Sequence, residues 1–187
     1  MNQIPHSLSS IPTNLSYLSS KGHKLFIRRC PNVVYFTQKV NIPGIMLPMP
    51  GYDTPFITLP QSGDHVKFNM LTVEFIVDES LNNWLEIHSW MRNIGKVDDF
   101  SEFEALEEND ESGIAPITDT GIKSEITLSI LNSAMDPFMH FYYHDCMPTS
   151  LSDLVFDTTL NDVKYLTSTA EFVYSNYDYE RVQVLYP

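Results

Sequence analysis

Residues 71–95 read LTVEFIVDESLNNWLEIHSWMRNIG, a strand signal running straight into an amphipathic helix, and this unit constrains the fold more than any other stretch. Leu71, Val73, Phe75 and Val77 alternate with Thr72, Glu74 and Ile76, the two-residue period of a strand with one buried face. Asp78 stands where a carboxylate can accept from the first free N–H groups of a helix. Leu81, Trp84, Leu85, His88, Met91 and Ile94 recur at helical spacing, which predicts one buried stripe with Leu81, Trp84, Leu85 and Met91 as its packing residues. Gly95 is the expected stop. Nothing in the unit is chemical. It is scaffold.

Other strand signals surround it. Lys24–Arg29 and Val33–Val40 read as strands joined by a tight turn at Cys30-Pro31-Asn32. Val66, Phe68 and Met70 occupy one parity, whereas Leu71, Val73 and Phe75 occupy the other. A one-residue slip exchanges the faces of a strand, so a bulge or break is expected near Asn69–Leu71. Further strands are expected at Ile122–Asn132, with Ile122, Ile126, Leu128 and Ile130 inward, and at Pro137–Asp145 and Leu154–Asp157. The last, Lys164–Asn176, places Leu166, Ala170, Phe172 and Tyr174 inward, and MPTSLSD (147–153) reads as a turn. The expectation is mainly β (α+β): an antiparallel sandwich or small barrel of about seven strands with one flanking amphipathic helix.

Three segments depart from that pattern. Residues 1–22, rich in serine with Pro5 and Pro12, read as an extended N-terminal arm ahead of a single domain over 23–187. Residues 41–60 hold Pro43, Pro48, Pro50, Pro55 and Pro60, so they form a stiffened loop or edge excursion instead of a central strand. That loop also carries Ile42, Ile45, Met46, Leu47, Met49, Tyr52 and Phe56. So many exposed apolar side chains predict a loop that packs on another subunit, the alternative being one folded back on its own core. Residues 96–113 set eight carboxylates against Lys96, which predicts a solvated insertion.

The net charge of −13 disfavours binding to nucleic acid or anionic membranes. Cys30 and Cys146 do not make a disulfide framework. The N-terminus lacks a basic start followed by an apolar run, and no stretch approaches the length of a membrane span. Chemical motifs are missing too. Glycines are scattered, no Gly-x-Ser-x-Gly elbow occurs, and neither cysteine lies in a nucleophile signature. His140, His144 and Cys146 are the nearest approach to a metal cluster, yet no second cluster completes four ligands. No catalytic residue, cofactor or metal is therefore expected.

The order of elements resembles the tail-tube protein family of contractile-tailed bacteriophages. The resemblance rests on a strand pair, Asn41-Ile42-Pro43-Gly44-Ile45, a long loop, and a strand leading into a helix with Trp84 and Trp90. It continues through Met147-Pro148-Thr149-Ser150-Leu151-Ser152-Asp153-Leu154, Phe156-Asp157, the alternating Thr167–Tyr174 and Tyr177-Asp178-Tyr179. It implies a small β-sandwich or barrel with a flanking helix, and a homo-oligomer of six subunits closing each ring of a stacked, hollow tube. Sheath and baseplate or neck proteins would be its partners, with DNA passing through unbound. Its place would be the virion tail, after assembly in the host cytoplasm. The loop residues Ile42, Pro43, Ile45, Met46, Leu47, Met49, Tyr52 and Phe56 become the expected inter-subunit contact, and Glu74, Glu125 and Glu171 the expected lumen-facing acids. A tube terminator, an initiator and another tail-associated subunit fit the same resemblance. Outside it, a monomeric binding module and a hydrolase remain the alternatives.

Overall fold

The computed structural model describes residues 17–95, 122–159 and 164–182. Most of the expected arm 1–22 and the acidic insertion 96–113 lie outside the described residues.

Eleven strands and two helices occur among the described residues, against the expected seven and one. They are β1 (His23–Ile27), α1 (Pro31–Phe36), β2 (Thr37–Val40), β3 (Ile45–Met46), β4 (Gly51–Asp53), β5 (Thr58–Pro60), β6 (Lys67–Phe68), β7 (Leu71–Ile76), α2 (Asn82–Gly95), β8 (Ser124–Leu131), β9 (Pro137–Leu151), β10 (Thr167–Val173) and β11 (Asn176–Arg181). Seven strands form one antiparallel sheet in the order β1-β8-β9-β10-β7-β2, with β11 also on β9. The sheet is open: β1 and β2 end the path without pairing to each other, so among the described residues it does not close into a barrel. The core is mainly β, as the alternating patterns require.

The long strand β9 divides this sheet. Its first part, to Cys146, pairs with β8 on one side and β11 on the other, whereas Met147–Leu151 pairs with β10. β10 and β11 thus run end to end along β9, interrupted at Tyr174-Ser175. The interruption faces a bulge at Asp145, whose φ is +55°. Asp145 holds that conformation with its own side chain, accepting from Ser175 Oγ at 2.8 Å and lying 3.5 Å from Lys123 Nζ. Asp is among the residues that tolerate left-handed backbone, because its carboxylate bonds locally. Five aromatic rings close the inside of the corner. Tyr143 lies 5.0 Å from Tyr174 and 5.6 Å from Tyr177, and Phe68 lies 5.7 and 5.6 Å from the same two tyrosines. Phe141 adds a contact to Tyr177 at 6.2 Å.

Where the turn was expected at 147–153, the chain stays extended to Leu151. Pro148-Thr149-Ser150 makes a bulge instead: the β9–β10 register shifts there, and Thr149 Oγ1 donates to the Glu171 carbonyl at 3.1 Å. Residues 154–157 form no strand. The expected strand over Val33–Val40 is also half wrong, since its first part is α1. Pro31 lies in the first turn of α1, where its fixed φ suits a helix and its missing N–H costs nothing. The Thr37 hydroxyl donates to the Val33 carbonyl at 2.8 Å, and Val33 is wholly buried. Core contact here overrides the strand preference of Val33 and Val34. The break before Leu71 is present: β6 belongs to a separate two-stranded sheet, and Leu71, Val73 and Phe75 are wholly buried in β7.

Helix α2 occupies its expected place but buries a different stripe. Asn83, Ile87 and Trp90 face the core, with Trp84, Met91 and Ile94 along its margin, while Leu85 is 44% exposed. Leu85 was assigned to packing from spacing alone; Ile87 and Trp90 hold that position because the axis is rotated toward Asn83. Asp78 does cap the helix, its carboxylate accepting from Asn82 N at 3.1 Å. Asn83 ties the helix to the strand before it. Its Nδ2 donates to the Ile76 carbonyl at 2.7 Å, and its Oδ1 accepts from Trp84 N at 2.8 Å.

Two substitutions test this packing by urea denaturation. Asn83→Leu strands the Ile76 carbonyl and the Trp84 N–H in the core and is expected to cost about 2 kcal/mol or more. Tyr143→Phe removes a buried hydroxyl that has no partner among the described residues, so the midpoint is expected to hold or rise slightly.

Candidate assembly surface

Between β2 and β7 the chain leaves the sheet as a two-tier hairpin. β3 pairs with β6 at its base and β4 with β5 further out, so residues 45–68 form an arm. Its root is fixed by Asn41, whose Oδ1 accepts from Thr72 N at 2.6 Å and whose Nδ2 donates to the Met70 carbonyl at 3.1 Å. Phe68 anchors the same root in the aromatic corner. The tip turns at Thr54–Ile57, where Thr54 N donates to the Ile57 carbonyl at 3.1 Å. Gly63 crosses the backbone of Pro48 so closely that an added Cβ would sit 2.0 Å from its carbonyl oxygen. The prolines therefore stiffen an ordered excursion.

This arm carries its apolar residues outward. Phe56 is 97% exposed and Met49 72%, and Ile42, Ile45, Met46, Leu47 and Tyr52 are all exposed; Pro43 alone of the expected contact residues is buried. Two-stranded ribbons are marginal in water by themselves. An apolar one is poorly placed unless something covers it.

A second surface is made of strand edges. β1 pairs only with β8, and β11 only with β9, so the four-stranded part β1-β8-β9-β11 has a free edge on each side among the described residues. Its outward face carries Glu125 of β8, His144 of β9 and Asp178 of β11. His144 Nε2 lies 3.1 Å from Asp178 and its Nδ1 3.5 Å from Glu125. Glu74 and Glu171 lie elsewhere, on the polar face of β7 and β10, where both oxygens of Glu74 accept from Lys39 Nζ at 2.9 Å. The three nominated acids thus sit on two different parts of the sheet.

The cysteine and histidine candidates are not brought together. The Asp145 bulge turns Cys146 into the core while His144 faces outward, undoing the shared face that a regular strand would give them. No group of three metal-ligating side chains occurs among the described residues. Cys30 is wholly buried, and burial followed by the nearby Glu86 carboxylate pushes its thiol up to about 12. No helix among the described residues is long and apolar enough to cross a membrane. Reading the sequence missed Asn41, Phe68 and Asn83; only the dense Asn and aromatic content near strand ends hinted at them.

No family model and no curated protein matches the chain. Solved structures do. A chain of the anti-feeding prophage cap, described as the tube terminating cap, matches with TM-score 0.56 and 12% identity over 94% of this chain and 99% of its own. A chain of the anti-feeding prophage baseplate matches with TM-score 0.52 and 14% identity, over 87% and 93% respectively. A chain of the sheath-tube complex of an extracellular contractile injection system, in its extended state, matches with TM-score 0.50 and 14% identity, over 96% and 100%.

Both cysteines are expected to resist thiol reagents at pH 8 in the native protein and to react on unfolding, read by absorbance. The folded state holds the Cys30 proton to about 12 against an ordinary value of 9.0, and the Tyr174 phenol to about 12 against 10.0. Below pH 9 these groups leave stability unchanged. Above it the unfolded chain releases protons first, so the denaturation midpoint should fall steadily as pH rises toward 12. At these identities the likeness is one of architecture: the chain has a tail-tube-like fold.

Proposed function

We propose that the chain is a structural subunit that assembles into six-membered rings of the inner tube of a contractile tail, a conduit for DNA. The observation carrying this reading is the ordered apolar arm projecting from a tail-tube-like fold. Each Å² of apolar surface removed from water is worth roughly 25 cal/mol, so covering the arm on neighbouring copies gives assembly its drive. The free edges of β1 and β11 supply direction. Pairing β1 of one copy with β11 of the next is a heterologous contact, which repeats until it closes. Closure also removes the exposed edges.

In such a ring the outward face of β1-β8-β9-β11 lines the channel. Glu125 then faces passing DNA together with Asp178 and Glu180, and carboxylates there prevent the cation-driven adhesion that proteins use to hold DNA. Glu74 and Glu171 belong to the wall beyond the corner, with Glu74 offset by Lys39. Sheath and baseplate proteins are the partners this reading implies, and the virion tail its place. A terminating or initiating subunit is the second reading, supported by the match to a cap chain alongside that to a tube-complex chain. A lone binding module would leave the arm uncovered.

Sedimentation velocity combined with negative-stain microscopy tests this. Rings, stacked for a repeating subunit and single for a cap, are expected from the purified protein at high concentration. A monomer at every concentration overturns the proposal. Phe56→Ser with Met49→Ser should leave the unfolding midpoint of the monomer nearly unchanged while abolishing rings. Glu125→Gln with Asp178→Asn and Glu180→Gln should keep assembly and slow DNA release from particles; unaltered release kinetics removes the channel placement.

A further inference from the structure

Beside α2 lies an apolar groove of about 530 Å³ lined by Trp84, His88, Met91 and Arg92 of the helix and Leu151 of β9. Its wall is fixed in place: Trp84 stacks on His88 at 4.9 Å, and Trp84 Nε1 donates to the Ser152 carbonyl at 3.3 Å. Sites of roughly 300–1,000 Å³ with mostly apolar walls are those that take up a few apolar groups. Spacing alone assigned Trp84 and Met91 to core packing, yet both sit at the margin of the core and open into this groove.

We propose that the groove receives the arm tip of a second copy of this chain, with Phe56 as its anchor. This rests on the ring-forming reading and adds the receiving site to it. The tip is built before it binds: Thr54 N bonds to the Ile57 carbonyl at 3.1 Å and the Thr58 hydroxyl to Asp53 at 2.8 Å, which fixes Phe56 in water at 97% exposure. A preorganised protrusion loses little entropy on docking. Charge matches as well. Asp53 carries a carboxylate to the exposed tip, and Arg92 carries a guanidinium to the groove. Buried aromatic and arginine side chains are the residues that most often dominate interface energies. Tip and groove lie on different elements, so the contact is heterologous and propagates from copy to copy.

The test mixes two single variants of the full chain under mild oxidation: Ile57→Cys, at a 62% exposed tip position that keeps Phe56 as the anchor, and Met91→Cys. A disulfide requires the two Cα atoms within about 7 Å, so a linked dimer reports tip against groove. The native thiols are buried and remain silent. The mixture should yield several-fold more linked dimer than either variant alone. Leu151→Cys serves as a second receiving position should Met91→Cys unfold. Rings that assemble without excess cross-linking in the mixture overturn the tip-and-groove pairing and leave the ring reading intact. Cross-linking of Ile57→Cys with itself overturns the pairing too, because the tips would then meet each other. Failure of the unmodified protein to assemble overturns both.

Discussion

One strand holds the molecule together. β9 belongs to both halves of the main sheet, and everything else is positioned by where it bends. The bend exists because Asp145 adopts a left-handed backbone that its own carboxylate stabilises through Ser175. The same bulge sends Cys146 inward and leaves His144 outside. On the inner side, Tyr143, Tyr174, Tyr177, Phe141 and Phe68 fill the angle that a bent sheet would otherwise leave empty. Aromatic rings suit such a corner because they are large and pack edge to face.

Phe68 connects this corner to the arm. It is the last residue of β6, so the packing that closes the sheet also fixes the base of the projecting hairpin. Asn41 fixes the other leg with side-chain hydrogen bonds to the Met70 carbonyl and to Thr72 N of β7. The arm therefore leaves the body in a defined direction although its outer part makes few contacts with it. That combination, a firm root and an apolar tip in water, separates this excursion from an ordinary surface loop. Loops that serve only as connections are polar and tolerate insertion. This one is apolar, crossed at Gly63 by a backbone contact that leaves no room for a side chain.

Much of the fold was legible. The period-2 patterns at 71–76, 124–131 and 167–173 match the alternating burial of β7, β8 and β10 except at Leu131, buried directly after Ile130. Ile122 and Leu166, expected inward, are half-buried outside the strands; the break before Leu71 is also present. Local alternation survives because burial of one sheet face enforces it. The failures share another cause. The 33–36 segment has strand-forming valines but is helical, since Val33 gains a wholly buried site against the core. Leu85 matches helical spacing as well as Ile87 does, and only the rotation of α2 about its axis separates them. MPTSLSD contains turn formers, yet pairing with β10 converts them into a bulge. Of the candidate site, the apolar content of the loop and its exposure were visible, whereas its pairing into a two-tier hairpin was not.

The sequence by itself determined the mainly β class, the strand-helix unit at 71–95 and the conflict at 41–60 between proline stiffening and apolar side chains. These follow from period, capping and composition, all local quantities. Tertiary structure alone decided that the sheet is open and bent at Asp145, that Glu125 sits apart from Glu74 and Glu171, and that Trp84 and Met91 border a groove. Such facts depend on which distant strands pair and in what register. No local pattern encodes them, because many pairings bury the same alternating faces equally well.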